Sequence, residues 1–221
     1  MSKTERAVLF ANGEAPNLTA LELQTQDFLV AVDGGLHHLQ ALGLSPQLLI
    51  GDMDSLSTQE VEACQQAGIE ILRYPPAKNK TDLELALDEV LQRGYRNILI
   101  AFALGGRLDQ TLANLALLSR PDLNDYAVRI DDGVTEVTLL RHTITLACQP
   151  RDVVSLLPWV GAAGGVVTDG LEYPLEGETL LPWQTRGISN RSTGESFSVS
   201  LEQGALLLIH TRQIQDNGGT V

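Results

Sequence analysis

The sequence predicts an α/β N-terminal domain built on a mainly parallel, Rossmann-like sheet, followed by a C-terminal all-β sandwich domain. Three observations lead to that division. Over the first 130 or so positions, short apolar runs alternate with amphipathic stretches of helical length, the pattern of a parallel sheet. From about Thr135 no convincing amphipathic helix remains. Beyond that point short apolar runs are separated by Gly, Pro, Asn and Asp, the pattern of a sandwich. The expected domains are residues 1–140 and 141–221.

In the first domain, Ala7 to Ala11, Phe28 to Val32, Leu48 to Ile50, Ile69 to Arg73, Asn97 to Ala103 and Ala127 to Ile130 read as strands. Helical patterns lie between them. Leu83, Leu87, Val90 and Leu91 form one apolar face by their spacing of i, i+4, i+7 and i+8. Ser57 followed by Glu60, and Thr81 followed by Glu84, are two expected capping boxes. Gly43, Gly68 and Gly94 stand where three helices should stop. In the second domain, Thr138 to Leu140, Val153 to Leu157, Phe197 to Leu201 and Ala205 to Ile209 read as strands. The tail after His210 is polar and expected to fray.

Composition narrows the function. Asp plus Glu total 28 against 15 Lys plus Arg, a net charge of -13, which argues against nucleic acid as the main partner. A nucleotide stays compatible, because a bound divalent cation reverses the local sign. Hydrophobic residues make up 43% of the chain, enough for a packed core. Its longest apolar stretches, such as Ile98 to Leu104, fall far short of a membrane span. The start lacks the long apolar segment of a secretory signal. Cys64 and Cys148 lie in different expected domains and read as two buried thiols of a cytoplasmic protein.

Four polar clusters follow four of the expected strands. They are Asp33, Gly34 and Gly35; Gly51, Asp52, Asp54 and Ser55; Lys80, Thr81 and Asp82; and Gly105, Gly106, Arg107, Asp109 and Asn114. In an open parallel sheet the carboxyl ends of the strands share one rim, and ligands bind in its crevice. Asp52 and Asp54, two apart, point the same way if the segment is extended, so both can face one cation. With Asp82 on the same rim they suit Mg²⁺, which takes one or two carboxylates plus phosphate oxygens. Thr81 is a good N-cap and Asp82 suits the positive end of a helix, and that same end receives phosphate. Lys80 offers a point charge and Arg107 a fork for phosphate. Gly105 and Gly106 let backbone approach a ligand. Asp109 is able to cap a helix, bind metal or orient another side chain. No GxxxxGK[ST] is present, so this is not an ordinary P-loop. His37, His38, His142 and His210 lack metal-ligand spacing, Met53 reads as filler between the aspartates, and Trp159 and Trp183 read as core.

Taken in order and spacing, DGG, GDMDS, KTD and GGRLDQTLAN resemble the thiamine pyrophosphokinases. The second half is similar too: SLLPW, GLEYPL, TRGISN and FSVSL followed by ALLLIH look like that family's thiamine-binding β domain. The resemblance covers the chain from about Asp33 to His210. It implies a homodimer with ATP and thiamine as substrates, AMP and thiamine diphosphate as products, and magnesium as cofactor. By motif position, Asp52, Asp54 and Asp82 would serve the metal and the phosphates. Asp33, Gly34, Lys80, Thr81, Gly105, Gly106, Arg107 and Asp109 would line the nucleotide end. Ser189 and Asn190, with Gln110, would meet thiamine at the dimer interface. Gln110 departs from the family, which commonly has His there. Gln keeps a hydrogen bond but carries no proton at neutral pH. Phosphoryl transfer rests mostly on positioning and charge neutralisation, so activity is still expected. Two alternatives stay open at this stage: a pyrophosphokinase of the same scaffold acting on another heterocyclic alcohol, such as a pterin, or a thiamine- or nucleotide-binding protein without turnover.

Overall fold

A computed structural model describes residues 3–213, so the rest of the polar tail, residues 214–221, lies outside the described residues. The chain divides into two compact units, the first ending at Gly133 and the second beginning at Val134.

The first unit runs β1 (Lys3–Phe10), β2 (Phe28–Val32), α1 (Leu36–Ala41), β3 (Leu48–Gly51), α2 (Thr58–Gln66), β4 (Glu70–Arg73), α3 (Asp82–Gln92), β5 (Tyr95–Ala101), α4 (Leu108–Leu117) and β6 (Ala127–Asp131). Its strands lie in the order β6-β5-β1-β2-β3-β4, and every pairing among them is parallel. From β1 the chain winds outward to β4, then β5 returns to the other side of β1. The strand order therefore reverses between β1 and β5, where a parallel sheet opens a crevice. Ala7 to Phe10 of β1 and all of β3 are buried, as strands covered on both faces must be.

The helices form where local signals and packing agree. Leu83, Ala86, Leu87 and Val90 make the buried face of α3, while Leu91 is only half-buried. Ser57 and Glu60 close a complete capping box on α2. At α3 only half of the expected box forms. Thr81 accepts from the Glu84 N–H at 3.2 Å, but the Glu84 carboxylate turns to Lys80 at 3.4 Å. Gly43, Gly68 and Gly94 all have positive φ just past α1, α2 and α3, the left-handed stop that glycine permits.

The second unit holds β7 (Thr135–Leu140), β8 (Ile144–Ala147), β9 (Val153–Pro158), β10 (Ala163–Asp169), β11 (Glu176–Leu180), β12 (Asn190–Arg191), β13 (Ser196–Ser200) and β14 (Leu206–Thr211), with no helix among the described residues. They form two antiparallel layers, β12-β9-β14-β7 and β11-β10-β13-β8. Val154, Leu156, Leu206 and Leu208 from one layer pack in one core with Val166, Leu180, Phe197 and Val199 from the other. Inside this unit Asp152 accepts from the Gln149 and Gln213 N–H groups and is bonded to His210 Nε2 at 2.9 Å.

Cys64 and Cys148 are free and buried. No helix among the described residues is long and apolar enough to cross a membrane.

Candidate active site

A cavity of about 770 Å³ opens at the carboxyl ends of the parallel strands in the first unit. Its walls come from the segments after β1, β2, β3 and β5, the loop before α3, and the first turns of α4. All four expected clusters reach it, through Asp33, Asp54, Lys80 to Asp82 and Gly105 to Arg107.

The carboxylates converge there. Oxygens of Asp33, Asp52 and Asp54 lie within 4.8 Å of one another. The shared orientation of Asp52 and Asp54 has a different cause from the expected one. The strand ends at Gly51, and Met53 takes a φ of 65°, so a left-handed turn rather than extended backbone brings the two aspartates to one side. Met53 itself is buried in the apolar core of the unit, which holds this turn in place. Asp33, at the end of β2, is also left-handed, with φ 47°. Gly51 separates Asp33 from Asp82: a Cβ there would lie 3.1 Å from Asp33 Cβ and 3.3 Å from Asp82 Oδ1. Any larger residue at position 51 would push these carboxylates apart.

Lys78, not singled out by the sequence, bridges the rim. Its Nζ lies 2.9 Å from Asp52 Oδ2 and 3.0 Å from Asp82 Oδ1. The bond to Asp52 is aligned, whereas Asp82 Oδ1 sits at ion-pair distance without a hydrogen-bond angle. The hydrogen bond from Lys78 holds Asp52 below the usual carboxylate range. Burial pushes Asp82 above it, against the pull of Lys78, and the neighbouring charges of Asp52 and Asp33 add to the rise. Burial opposes the Lys78 charge, but its two aspartates prevail and hold its pKa above the ordinary value. Lys80, which also lines the cavity, pairs instead with Asp88 at 2.5 Å and Glu84 at 3.4 Å.

On the opposite wall, Gly106 N–H donates to Glu14 Oε1 at 2.9 Å, and Gly105 packs against the same side chain. Thr111 and Asn114 of α4 donate to the carbonyls of Gly105 and Ala103 and fix the loop from below. Arg107 and Asp109 pair with each other at 2.5 Å and are both exposed. Gln110 faces the cavity from α4. Gly34 backs onto Asn12, whose side chain fills the place of a Cβ. Asn12 and Glu14, outside the four expected clusters, also line the cavity. The segment ANGEAP after β1 is a fifth polar cluster on the same rim.

In the second unit Ser189 is exposed, has φ 60°, and donates its N–H to Ser155 Oγ at 3.0 Å. Asn190 is engaged with backbone. Its Nδ2 donates to Tyr173 O at 2.7 Å, and its Oδ1 accepts from the N–H groups of Tyr173 and Arg191. Tyr173 is 58% exposed and Trp183 77%, so the reading of Trp183 as core is overturned. Trp183 sits in a turn closed by the Gln184 N–H on the Leu181 carbonyl at 3.0 Å, which leaves it in solvent. The histidines find other partners: His37 pairs with Glu60, His38 with the Gly13 carbonyl, and His210 with Asp152.

The rim suits a small divalent cation. Asp33 Oδ1 is buried and has no hydrogen-bond partner, an arrangement that is costly unless a positive charge faces it. Three hard oxygen donors nearby match what Mg²⁺ takes. A family model described as thiamin pyrophosphokinase, catalytic domain, matches residues 19–130, and one described as its vitamin B1 binding domain matches residues 141–206. The thiamine pyrophosphokinase of Bacillus subtilis is 28% identical over 185 residues, covering 82% of this chain and 86% of the relative. The crystal structure of the thiamine pyrophosphokinase from Bacillus subtilis has a TM-score of 0.84 at 25% identity, covering 95% of this chain and all of the other. A thiamin pyrophosphokinase family protein from Enterococcus faecalis has the same TM-score at 26% identity, covering 96% of this chain and all of the other.

Proposed function

This chain belongs to the thiamin pyrophosphokinase family and is a thiamine diphosphokinase, and we propose that the cavity of its α/β unit is where ATP gives up its pyrophosphoryl group. Thiamine's hydroxyl attacks the β-phosphorus and AMP leaves. The observation that carries this placement is the convergence of Asp33, Asp52 and Asp54 around a buried, unpartnered carboxylate oxygen at the strand ends.

Asp33, Asp52 and Asp54, with Asp82, would hold Mg²⁺, which when bound neutralises phosphate charge and draws the chain into line for displacement. The remaining work falls to the protein. The N-terminus of α3 lines the cavity through Thr81, Asp82 and Leu83, and its positive end favours phosphate there. Lys80 and Arg107 line the same cavity and supply positive charge for phosphate oxygens. Gly105 and Gly106 keep side chains out of the loop, so its backbone meets the nucleotide directly. Gln110 offers thiamine a hydrogen bond without a proton, which is enough for a reaction dominated by positioning.

In the β unit, Ser189 and Asn190 belong to the thiamine side. The Asn190 amide is occupied by the Tyr173 backbone, which supports a positioning role: it fixes the GLEYPL segment that thiamine would meet. The chain would act as a homodimer with sites made from both copies. Leu108 and Leu112, exposed beside Gln110 on α4, and Tyr173, Trp183 and Ile188, exposed in the β unit, support an association that covers apolar surface. Two free, buried thiols fit a cytoplasmic setting.

Nucleotide chromatography of a reaction containing ATP, thiamine and Mg²⁺ tests the reading. AMP should appear in step with thiamine diphosphate, and chelation should stop both. ADP as the stoichiometric product would point to a phosphoryl kinase.

A further inference from the structure

Among the described residues, three cations line the cavity: Lys78, Lys80 and Arg107. Two of them are held by carboxylates set apart from the aspartate cluster. Lys80 is 44% exposed and paired with Asp88 and Glu84, and Arg107 is 72% exposed and paired with Asp109. Lys78 differs in both respects. Its side chain is 13% exposed, and both of its partners, Asp52 and Asp82, belong to the set that suits a divalent cation. An ammonium 2.9 Å from Asp52 Oδ2 and a divalent cation bound through the same carboxylate compete for one region of space and one charge.

Resting on the reading above, we propose that Lys78 is an exchanging counter-ion and a phosphate contact. It holds Asp52 and Asp82 in register, gives them up when a divalent cation binds, and pairs with a phosphate oxygen of the nucleotide in the same cavity. Three features support the exchange. The side chain hangs from the Pro75 to Lys80 loop, outside any helix or strand, on a long flexible stem with freely rotating donors. Asp82 Oδ1, though within ion-pair range, is not hydrogen-bonded by Lys78, so only Asp52 gives up an aligned bond. The phosphates that would receive the ammonium arrive on the same face, since Lys78 lines one cavity with Thr81, Gly106 and Arg107. A static structural tether would need none of this.

The test exploits a difference in sign. Lys78→Met and Lys78→Gln remove the competing charge, so Mn²⁺ alone, titrated into chelator-treated full-length protein and followed by the spin-resonance signal of the free ion, should bind about tenfold tighter than to the parent. Lys78→Arg, which keeps the charge, should stay within about threefold. The same Met and Gln variants should lose about 10²-fold in turnover with ATP and thiamine, as expected for a lost phosphate contact. Mn²⁺ affinity unchanged or weakened in both Met and Gln variants would overturn the exchange, and undiminished turnover would overturn the phosphate contact. Asp52→Asn separates this proposal from the reading beneath it. If Asp52→Asn loses Mn²⁺ binding while the Lys78 variants do not tighten it, the metal rim stands and the role of Lys78 falls. If Asp52→Asn binds Mn²⁺ like the parent, the metal rim fails and the exchange falls with it.

Discussion

The side-chain amide of Asn190 clasps the backbone of Tyr173 from both sides, its Nδ2 on the Tyr173 carbonyl at 2.7 Å and its Oδ1 on the Tyr173 N–H at 3.0 Å. A residue expected to touch a substrate is thus engaged in holding a neighbouring segment. Asn190→Asp keeps the acceptor but sets a carboxylate against the Tyr173 carbonyl. Loss of one such bond is worth about tenfold. The KM for thiamine should therefore rise by about that factor, while the KM for ATP stays near the parent value. Steady-state kinetics with each substrate varied in turn decides it. A change in the ATP term alone would remove Asn190 from the thiamine side.

The buried Asp152 should make stability depend on pH. Burial works against its charge, but hydrogen bonds from Gln149, Gln213 and His210 outweigh that and place its pKa below the ordinary 3.8. A carboxylate depressed in the folded state contributes stability above its unfolded pKa and loses it as pH falls through the folded one. Denaturant melts should show this contribution fully present above about pH 5 and declining toward pH 2. Asp152→Asn would leave buried donors mismatched, cost about 3 kcal/mol at neutral pH, and flatten the acid limb. An unchanged acid limb in the mutant would show that Asp152 contributes nothing to it.

Gln110 distinguishes hydrogen bonding from proton transfer. Gln110→His should retain turnover within a few-fold at pH 8, where imidazole is mainly neutral. Gln110→Ala should lose about tenfold, the worth of one hydrogen bond. A pH–rate series on both variants checks this. A gain of more than about a hundredfold in Gln110→His would mean that a general base had been missing.

A shared active site is testable by mixing defects. An Asp82→Asn chain and a Ser189→Ala, Asn190→Ala chain, each impaired alone, should recover part of the parent activity after subunit exchange, because some heterodimers regain one intact site. Activity and light scattering on the same samples decide it. Exchange without recovery would contradict the shared site, and a monomer at assay concentration would contradict the homodimer as well.

The legible part of this molecule is the part governed by local rules. Apolar runs buried on both faces marked β1, β2, β3 and β5, and each polar cluster at a strand end fell on the cavity rim. What was not legible depends on distant contacts or on weak patterning. β10, AGGVVTD, carries two adjacent glycines and two adjacent valines, and β11, EGETL, is mostly polar, so neither alternates apolar and polar residue types as a strand should. The turn at Met53 takes its shape from the core beneath it. Lys78 and Lys80 are equivalent in the sequence KNKTD. Only the folded loop turns one toward Asp52 and the other toward Asp88. Trp183 looks like core by residue type, and only the structure exposes it.

The claim that the acidic rim performs chemistry rather than shaping a turn is tested most directly by Asp52→Asn, with turnover at saturating ATP, thiamine and Mg²⁺ measured beside the melting temperature. The substitution keeps the volume and removes one charge. Loss of a preorganised electrostatic contact should lower the rate about 10²–10³-fold. A partly exposed carboxylate at a turn contributes about 1 kcal/mol or less, so Tm should stay within roughly 4 °C of the parent. Near-parent turnover, or a rate loss fully accounted for by a fall in Tm, would contradict the account.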